Sequence, residues 1–340
     1  MIKEAIAKVA ERIDLEEKEM AQVMENMMGG TASPSQMAAF LMGLRMKGET
    51  VSEITGAAKV MRDKATKIRS NHSVVIDLCG TGGDQQGTFN VSTVASFIAA
   101  GAGAPVAKHG NRSVSSQVGS ADVLEDLGIN INLSPKGAEQ CLNEIGIVFL
   151  FAPVYHPAMK NVSQLRKDIG VRTIFNVLGP LTNPADVKHQ VMGVYSEVLV
   201  EPMAKVLRNL GYIRAMVVHG ADRLDEITVS GKTQIAELKD GMIRMYQFDP
   251  ADLGFKRRKL EELKGGNARE NAKILLSILN GEEREAKREI AVLNAAAGIL
   301  VSGAAVEIKE AIAMAEDSID SSKALKKLND LTRYTRNWSD

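Results

Sequence analysis

Apolar positions in the first part of the chain recur with helical spacing and are punctuated by capping signatures. Asp14 with Glu17 three residues on predicts a helix that stops at Gly29-Gly30. Ser33-Pro34-Ser35-Gln36 is a second box, with proline at the first helical position. Its helix presents Met37, Phe40, Leu41 and Leu44 on one face and ends near Gly48. Thr50 with Glu53 opens a third helix, predicted to run to about Ile68. Residues 1–70 thus read as a helical domain. A module this small buries too little surface alone, so it docks on the rest of the chain or pairs with another subunit.

At Ser73 the pattern changes. Val74-Val75-Ile76-Asp77-Leu78 is a short apolar run leading straight into glycines, which is how a buried parallel strand reads. Further strands are predicted at 105–108, 147–151, 190–195, 215–219 and 233–238. Helices are predicted at 93–103, 135–146 (capped by Ser134) and 200–210, and from Asn267 onward, with caps at Asn267 and Glu270. This alternation predicts an α/β domain over residues 71–340 with a mostly parallel central sheet and ligand sites at the carboxyl ends of its strands.

Composition narrows the class. Apolar residues make up 45% and aromatics 4%, so the core is built from Ala, Val, Ile, Leu and Met, which suits helices on a parallel sheet. The 42 basic and 42 acidic residues cancel, so no basic excess points to nucleic acid, and any phosphate is gripped locally. Two cysteines, Cys79 and Cys141, give no disulfide framework and suit a reducing compartment. Met1-Ile2-Lys3-Glu4 does not open a secretory signal, and apolar runs such as 96–107 are too short to span a bilayer. The expectation is a cytoplasmic protein with no membrane partner.

Three polar segments carry the candidate chemistry. The first is Asp77-Leu78-Cys79-Gly80-Thr81-Gly82-Gly83-Asp84, followed by Thr88, Phe89, Asn90, Val91, Ser92 and Thr93 at a helix start. Glycines let the backbone turn tightly with its amides outward, the helix start favours an anion, and the hydroxyls suit phosphate or a hard metal. The second is Lys108-His109-Gly110-Asn111-Arg112-Ser113-Val114-Ser115-Ser116, at the end of the next strand. Holding these groups on one loop is costly unless something anionic and polar sits there. Gly119-Ser120-Ala121-Asp122 then leads into a helix. The third is His219-Gly220-Ala221-Asp222-Arg223-Leu224-Asp225-Glu226, whose adjacent carboxylates call for cations. Oxygen ligands beside phosphate are the usual magnesium arrangement. Cys79 has no histidine or carboxylate spaced to make it a nucleophile and reads as a small strand-end residue.

In this order the segments resemble the anthranilate phosphoribosyltransferase family over nearly the whole chain. The resemblance rests on Gly-Thr-Gly-Gly-Asp, Asn-Val-Ser-Thr, Lys-His-Gly-Asn-Arg, His156-Pro157-Ala158-Met159 and Gly179-Pro180-Leu181-Thr182-Asn183-Pro184, together with Arg166. It implies a small helical domain, to which helices around 160–190 add, and a larger α/β domain of nucleoside phosphorylase type. It also implies a homodimer joined through the helical domains, and two magnesium ions. Transfer of the phosphoribosyl group from its diphosphate to anthranilate, in tryptophan biosynthesis, is the implied reaction. By motif, Gly80, Gly83, Asp84, Thr88, Asn90 to Thr93, Lys108 to Ser116 and Ser120 would surround the donor. Ser92 and Glu226 would hold one ion, and Asp225 with Glu226 the second. Gly80, Asn111 and Arg166 would contact anthranilate, with His109 and Pro180 lining its channel and His156 near the entrance; no residue is expected as an acid or base. A pyrimidine nucleoside phosphorylase would share the fold, but the Lys-His-Gly-Asn-Arg loop, the Gly-Pro-Leu-Thr-Asn-Pro segment and Arg166 speak against it. A non-catalytic nucleic-acid-binding relative would have lost the Asp-Glu pair and gained positive charge.

Overall fold

A computed structural model describes residues 2–112 and 118–339. The N-terminal lobe is a four-helix unit: α1 (Ile2–Ala10), α2 (Glu17–Met28), α3 (Pro34–Lys47) and α4 (Val51–Asp63). Its core includes Met20, Met24 and Met27 of α2 and Phe40, Leu41 and Leu44 of α3, all shut off from solvent. Ser33 and Thr50 cap α3 and α4 in reciprocal boxes with Gln36 and Glu53. Two expectations need correcting. Asp14 does not cap α2, because Lys47 Nζ takes its carboxylate at 2.6 Å. Glu19 instead accepts the Glu16 amide, at 2.9 Å. Nor does α4 reach Ile68. Past Asp63 the chain turns extended, and its amides bond across to the other lobe, Thr66 to Tyr155 O and Ile68 to Pro184 O.

Among its described residues the larger lobe holds seven strands: β1 (Ile76–Gly80), β2 (Val106–Gly110), β3 (Ile147–Phe151), β4 (His189–Gly193), β5 (Arg214–Gly220), β6 (Thr233–Lys239) and β7 (Met242–Phe248). They lie in the order β3-β2-β1-β4-β5-β6-β7; the first five are parallel, and β6 and β7 are antiparallel. The strand order reverses beside β1, so the ligand crevice of such a sheet falls over β1 and β4. Sequence patterning passed over β7, an edge strand whose residues alternate irregularly between part-buried and exposed. A local signal was present all the same: Asp240 and Gly241, both at positive φ, make the tight turn into it.

Helices fill the crossovers: α5 (Val91–Gly101), α6 (Ser120–Asp126), α7 (Pro135–Ile145), α8 (Ala152–Tyr155), α9 (Lys160–Ile169), α10 (Phe175–Leu178) and α11 (Val200–Asn209). The tail adds α12 (Ala268–Leu279), α13 (Ala286–Ser302), α14 (Ile308–Asp320) and α15 (Lys323–Asn337). Helix α13 is buried along almost its whole length and packs on β1, β4, β5 and α5. Helix α9 packs on α2 and α3, with Asn161 Nδ2 donating to Met28 O at 2.7 Å. No helix among the described residues is long and apolar enough to cross a membrane.

Candidate active site

The carboxyl ends of β1, β2 and β5 open into one cleft of about 320 Å³, which gathers residues from all three polar segments with Arg166, Phe175, Asn176 and Pro180. Its floor is set by a glycine pair. Gly80 of β1 and Gly193 of β4 stand opposite each other. A Cβ on Gly80 would lie 2.3 Å from Asp225 Oδ2, and one on Gly193 would lie 1.6 Å from Asp225 O. The acidic loop therefore crosses the switch point of the sheet only because both positions lack a side chain. Gly80 lines the cleft, as expected of a ligand-facing residue, and its missing side chain also makes room for Asp225.

The glycine turn continues through Gly82 and Gly83, at φ +65° and +77°. The Gly82 amide donates to Asp225 Oδ2 at 2.8 Å. Asn90 begins α5, its side-chain Nδ2 donating to Val118 O and its Oδ1 accepting from Asn271 Nδ2 of α12. Ser92 donates its amide to Glu226 Oε1 at 3.2 Å, and its Oγ receives Lys108 Nζ at 3.2 Å. Lys108 also donates to Leu78 O at 2.6 Å, so its side chain spans β1 and the start of α5. Thr93 Oγ1 is buried without a partner among the described residues, and Thr88 bridges to Lys264.

Electrostatics mark the carboxylates. Burial, then the neighbouring Asp84, pushes Asp225 up to about 7. Burial and Asp225 push Glu226 well above the carboxylate range, with Lys108 pulling the other way. Asp84 is raised too, chiefly by burial. Three acidic groups thus crowd together, Lys108 offsetting Glu226, and such a donor set fits a divalent cation. Among the described residues no three His, Cys, Asp or Glu form a ready ion cage. A hard cation here would complete its shell from hydroxyl, substrate and water oxygens, as magnesium does beside phosphates.

Opposite lies a drier wall. Arg166 sits 5.3 Å from the Phe175 ring centroid, with burial lowering its pKa and no carboxylate paired to it among the described residues. Pro180 is held by Gln190 Nε2 on its carbonyl at 2.7 Å. Asn183 pins the same segment to Asp77 and Ala107 O, each at 2.8 Å. His109 Nδ1 bonds Gly179 O at 3.2 Å, and its ring centroid lies 5.1 Å from that of His156. Burial drops His109 to about 3, with His156 adding to it, and burial drops His156 to about 4. Both imidazoles are therefore neutral near pH 7.

These histidines predict a pH effect on stability. Their folded values lie below the ordinary 6.5, so the unfolded chain takes up protons first as pH falls. The stability they contribute is full above about 6.5 and is lost as pH falls through about 4. The melting temperature of His156→Gln should therefore drop less between pH 7.5 and pH 5 than that of the parent, by about 2–4 °C. An equal drop in both would contradict the buried neutral state.

Other expected residues stand differently. Asn111 is exposed at the rim, and Ser120 Oγ donates to its carbonyl. Arg112 lines the cleft while pairing with Asp122 and Glu125 of α6. Ser113, Val114, Ser115 and Ser116 lie outside the described residues. Cys79 receives a bond from Gln190, and burial beside Asp77 holds its thiol protonated. Sequence reasoning missed Asn271, Arg172 and Tyr195. Each belongs to the site only through contacts distant in the chain.

A helical lobe set on an α/β lobe, with an acidic, glycine-floored cleft over the switch point, is the build of a glycosyl transferase. Glycosyl transferase family models match accordingly, the helical bundle domain over residues 3–65 and the a/b domain over 72–325. The chain belongs to the anthranilate phosphoribosyltransferase family. It is 53% identical to the anthranilate phosphoribosyltransferase of Pelotomaculum thermopropionicum, covering 100% of this chain and 98% of the relative. It is 54% identical to that of Clostridium kluyveri, covering 98% and 99%. Among solved structures, the Thermus thermophilus enzyme superposes with a TM-score of 0.92 at 40% identity, covering 98% of this chain and 99% of that one. The Saccharomyces cerevisiae enzyme in complex with PRPP and Mg has a TM-score of 0.90 at 28% identity, covering 99% and 98%.

Proposed function

We propose that the chain transfers the 5-phosphoribosyl group of phosphoribosyl diphosphate to the amine of anthranilate, releasing diphosphate, with magnesium. The observation that carries this reading is the polarity of the cleft: three acidic groups and a glycine turn on one wall, and on the other Arg166 over Phe175, with no carboxylate paired to it among the described residues. A metal-bound diphosphate suits the first wall, and an aromatic carboxylate the second. Related enzymes solved with PRPP and Mg and with 4-fluoroanthranilate support the same pairing.

In this reading Gly80, Gly83, Asp84, Thr88, Asn90 to Thr93, Lys108 to Arg112 and Ser120 surround the donor. Ser92, Asp225 and Glu226 would hold the metal, as two ions. Magnesium supplies charge neutralisation for the departing diphosphate. Lys108 adds fixed positive charge at the floor. Arg166 holds the anthranilate carboxylate and so aims the amine, which is already unprotonated near neutral pH. Gly80, Asn111, His109 and Pro180 bound the acceptor, and the neutral imidazoles protonate nothing. Orientation of this kind is worth about 7–11 kcal/mol. Residues 1–70 and 71–340 act as two lobes whose approach excludes water from the donor. Two copies pair through the helical lobe, where Ile13 and Met46 are exposed.

Mixing the protein with phosphoribosyl diphosphate, magnesium and anthranilate should extinguish anthranilate fluorescence. Undiminished fluorescence under saturating donor would refute the activity.

A further inference from the structure

Arg172 lies between α9 and α10, outside every motif that the sequence brings to notice. Its guanidinium stands 4.3 Å from the Tyr195 ring centroid and donates to the carbonyl of Gly83 in the glycine turn. No carboxylate pairs with it among the described residues. A part-buried cation satisfied, among the described residues, by a ring face and one carbonyl is an uneconomical way to hold a fold together.

Tyr195 is anchored in turn. Its amide donates to Thr81 Oγ1 at 3.1 Å, and Arg45 of the helical lobe reaches its hydroxyl. One stack therefore links the helical lobe, the end of β4 and two points in the first part of the turn. The turn has little order of its own, since Gly82, Gly83, Gln85 and Gly87 are all left-handed. Within a trans peptide, the carbonyl of one residue and the N–H of the next point in opposite directions. Fixing Gly83 O on Arg172 therefore fixes the Asp84 N–H away from it.

We propose that Arg172, clamped on Tyr195, is a positioning residue that sets the Gly83–Asp84 peptide so that its N–H meets the donor's diphosphate. The inference rests on the donor site proposed above. Steady-state kinetics and calorimetry of donor binding with magnesium test it on the full-length protein. Arg172→Ala should raise the KM and Kd for the donor about 10- to 100-fold, the scale of one charge-assisted hydrogen bond, and leave the anthranilate KM within about threefold. Tyr195→Leu should shift the same constants, and the double variant should be no worse than the worse single. Arg172→Lys keeps a donor without a flat face, so its donor KM should rise by roughly three- to tenfold; this variant serves if the alanine protein does not fold. An unchanged donor constant in either Arg172 variant, equal losses for both substrates, or multiplying effects would overturn the proposal. A parent protein that binds no donor would remove the site itself, and this inference with it.

Discussion

Replacing Asp225 and Glu226 together by alanine cuts turnover by at least about a thousandfold and erases its magnesium response. The expectation follows from what the pair does to the protein by itself. Both carboxylates stand in a poorly solvated cleft beside Asp84, and Asp225 is raised from 3.8 to about 7. A carboxylate raised on folding contributes its stability at low pH and loses it as pH rises through the folded value. Without metal, the pair is thus a destabilising load above about pH 7. The isosteric Asp225→Asn with Glu226→Gln should accordingly melt higher than the metal-free parent at pH 8 and no higher at pH 4, while remaining inactive. Activity within a few-fold of the parent would reject the metal assignment, and a lower melting temperature at pH 8 would reject the electrostatic account.

Arg166→Ala should raise the anthranilate KM by about 10- to 100-fold or more and leave the donor KM within about threefold. The guanidinium is half-buried over Phe175, and burial lowers its pKa because its charge has lost water without gaining a carboxylate. An aromatic acid entering the cleft supplies that partner, so most of the acceptor's binding is concentrated here. Arg166→Lys should recover little, since an ammonium neither lies flat on the ring nor forks onto a carboxylate. An unchanged anthranilate constant, or equal losses for both substrates, would remove Arg166 from the acceptor site.

The legible parts of the fold are those settled locally. Ser33, Thr50, Ser134 and Asn267 cap helices where patterning predicts, because each bond spans three residues. Strands β1 to β6 fall within two residues of their apolar runs, since strands packed inside a sheet read as unbroken hydrophobics. Asp14 misled because Lys47, from another helix, claims it. Strand β7 stayed hidden because an edge needs no regular alternation. In the cleft, glycines and clustered polar residues announced the three loops. Arg172, Tyr195 and Asn271 did not, because the groups they serve lie as far as 181 residues away in the chain. The resemblance supplied Arg166, which no local pattern marks.

The facing glycines beneath Asp225 have a consequence for redesign. The altitude of the acidic hairpin above the strands is a property of the sheet, so residues 221–228 are not a portable cassette. Grafted onto another parallel sheet with alanine at either underlying place, the segment would ride higher by roughly the breadth of a methyl group. Its carboxylates would then sit too high for a helix start placed as Ser92 is here, and the transplant would keep its acidity while losing its aim.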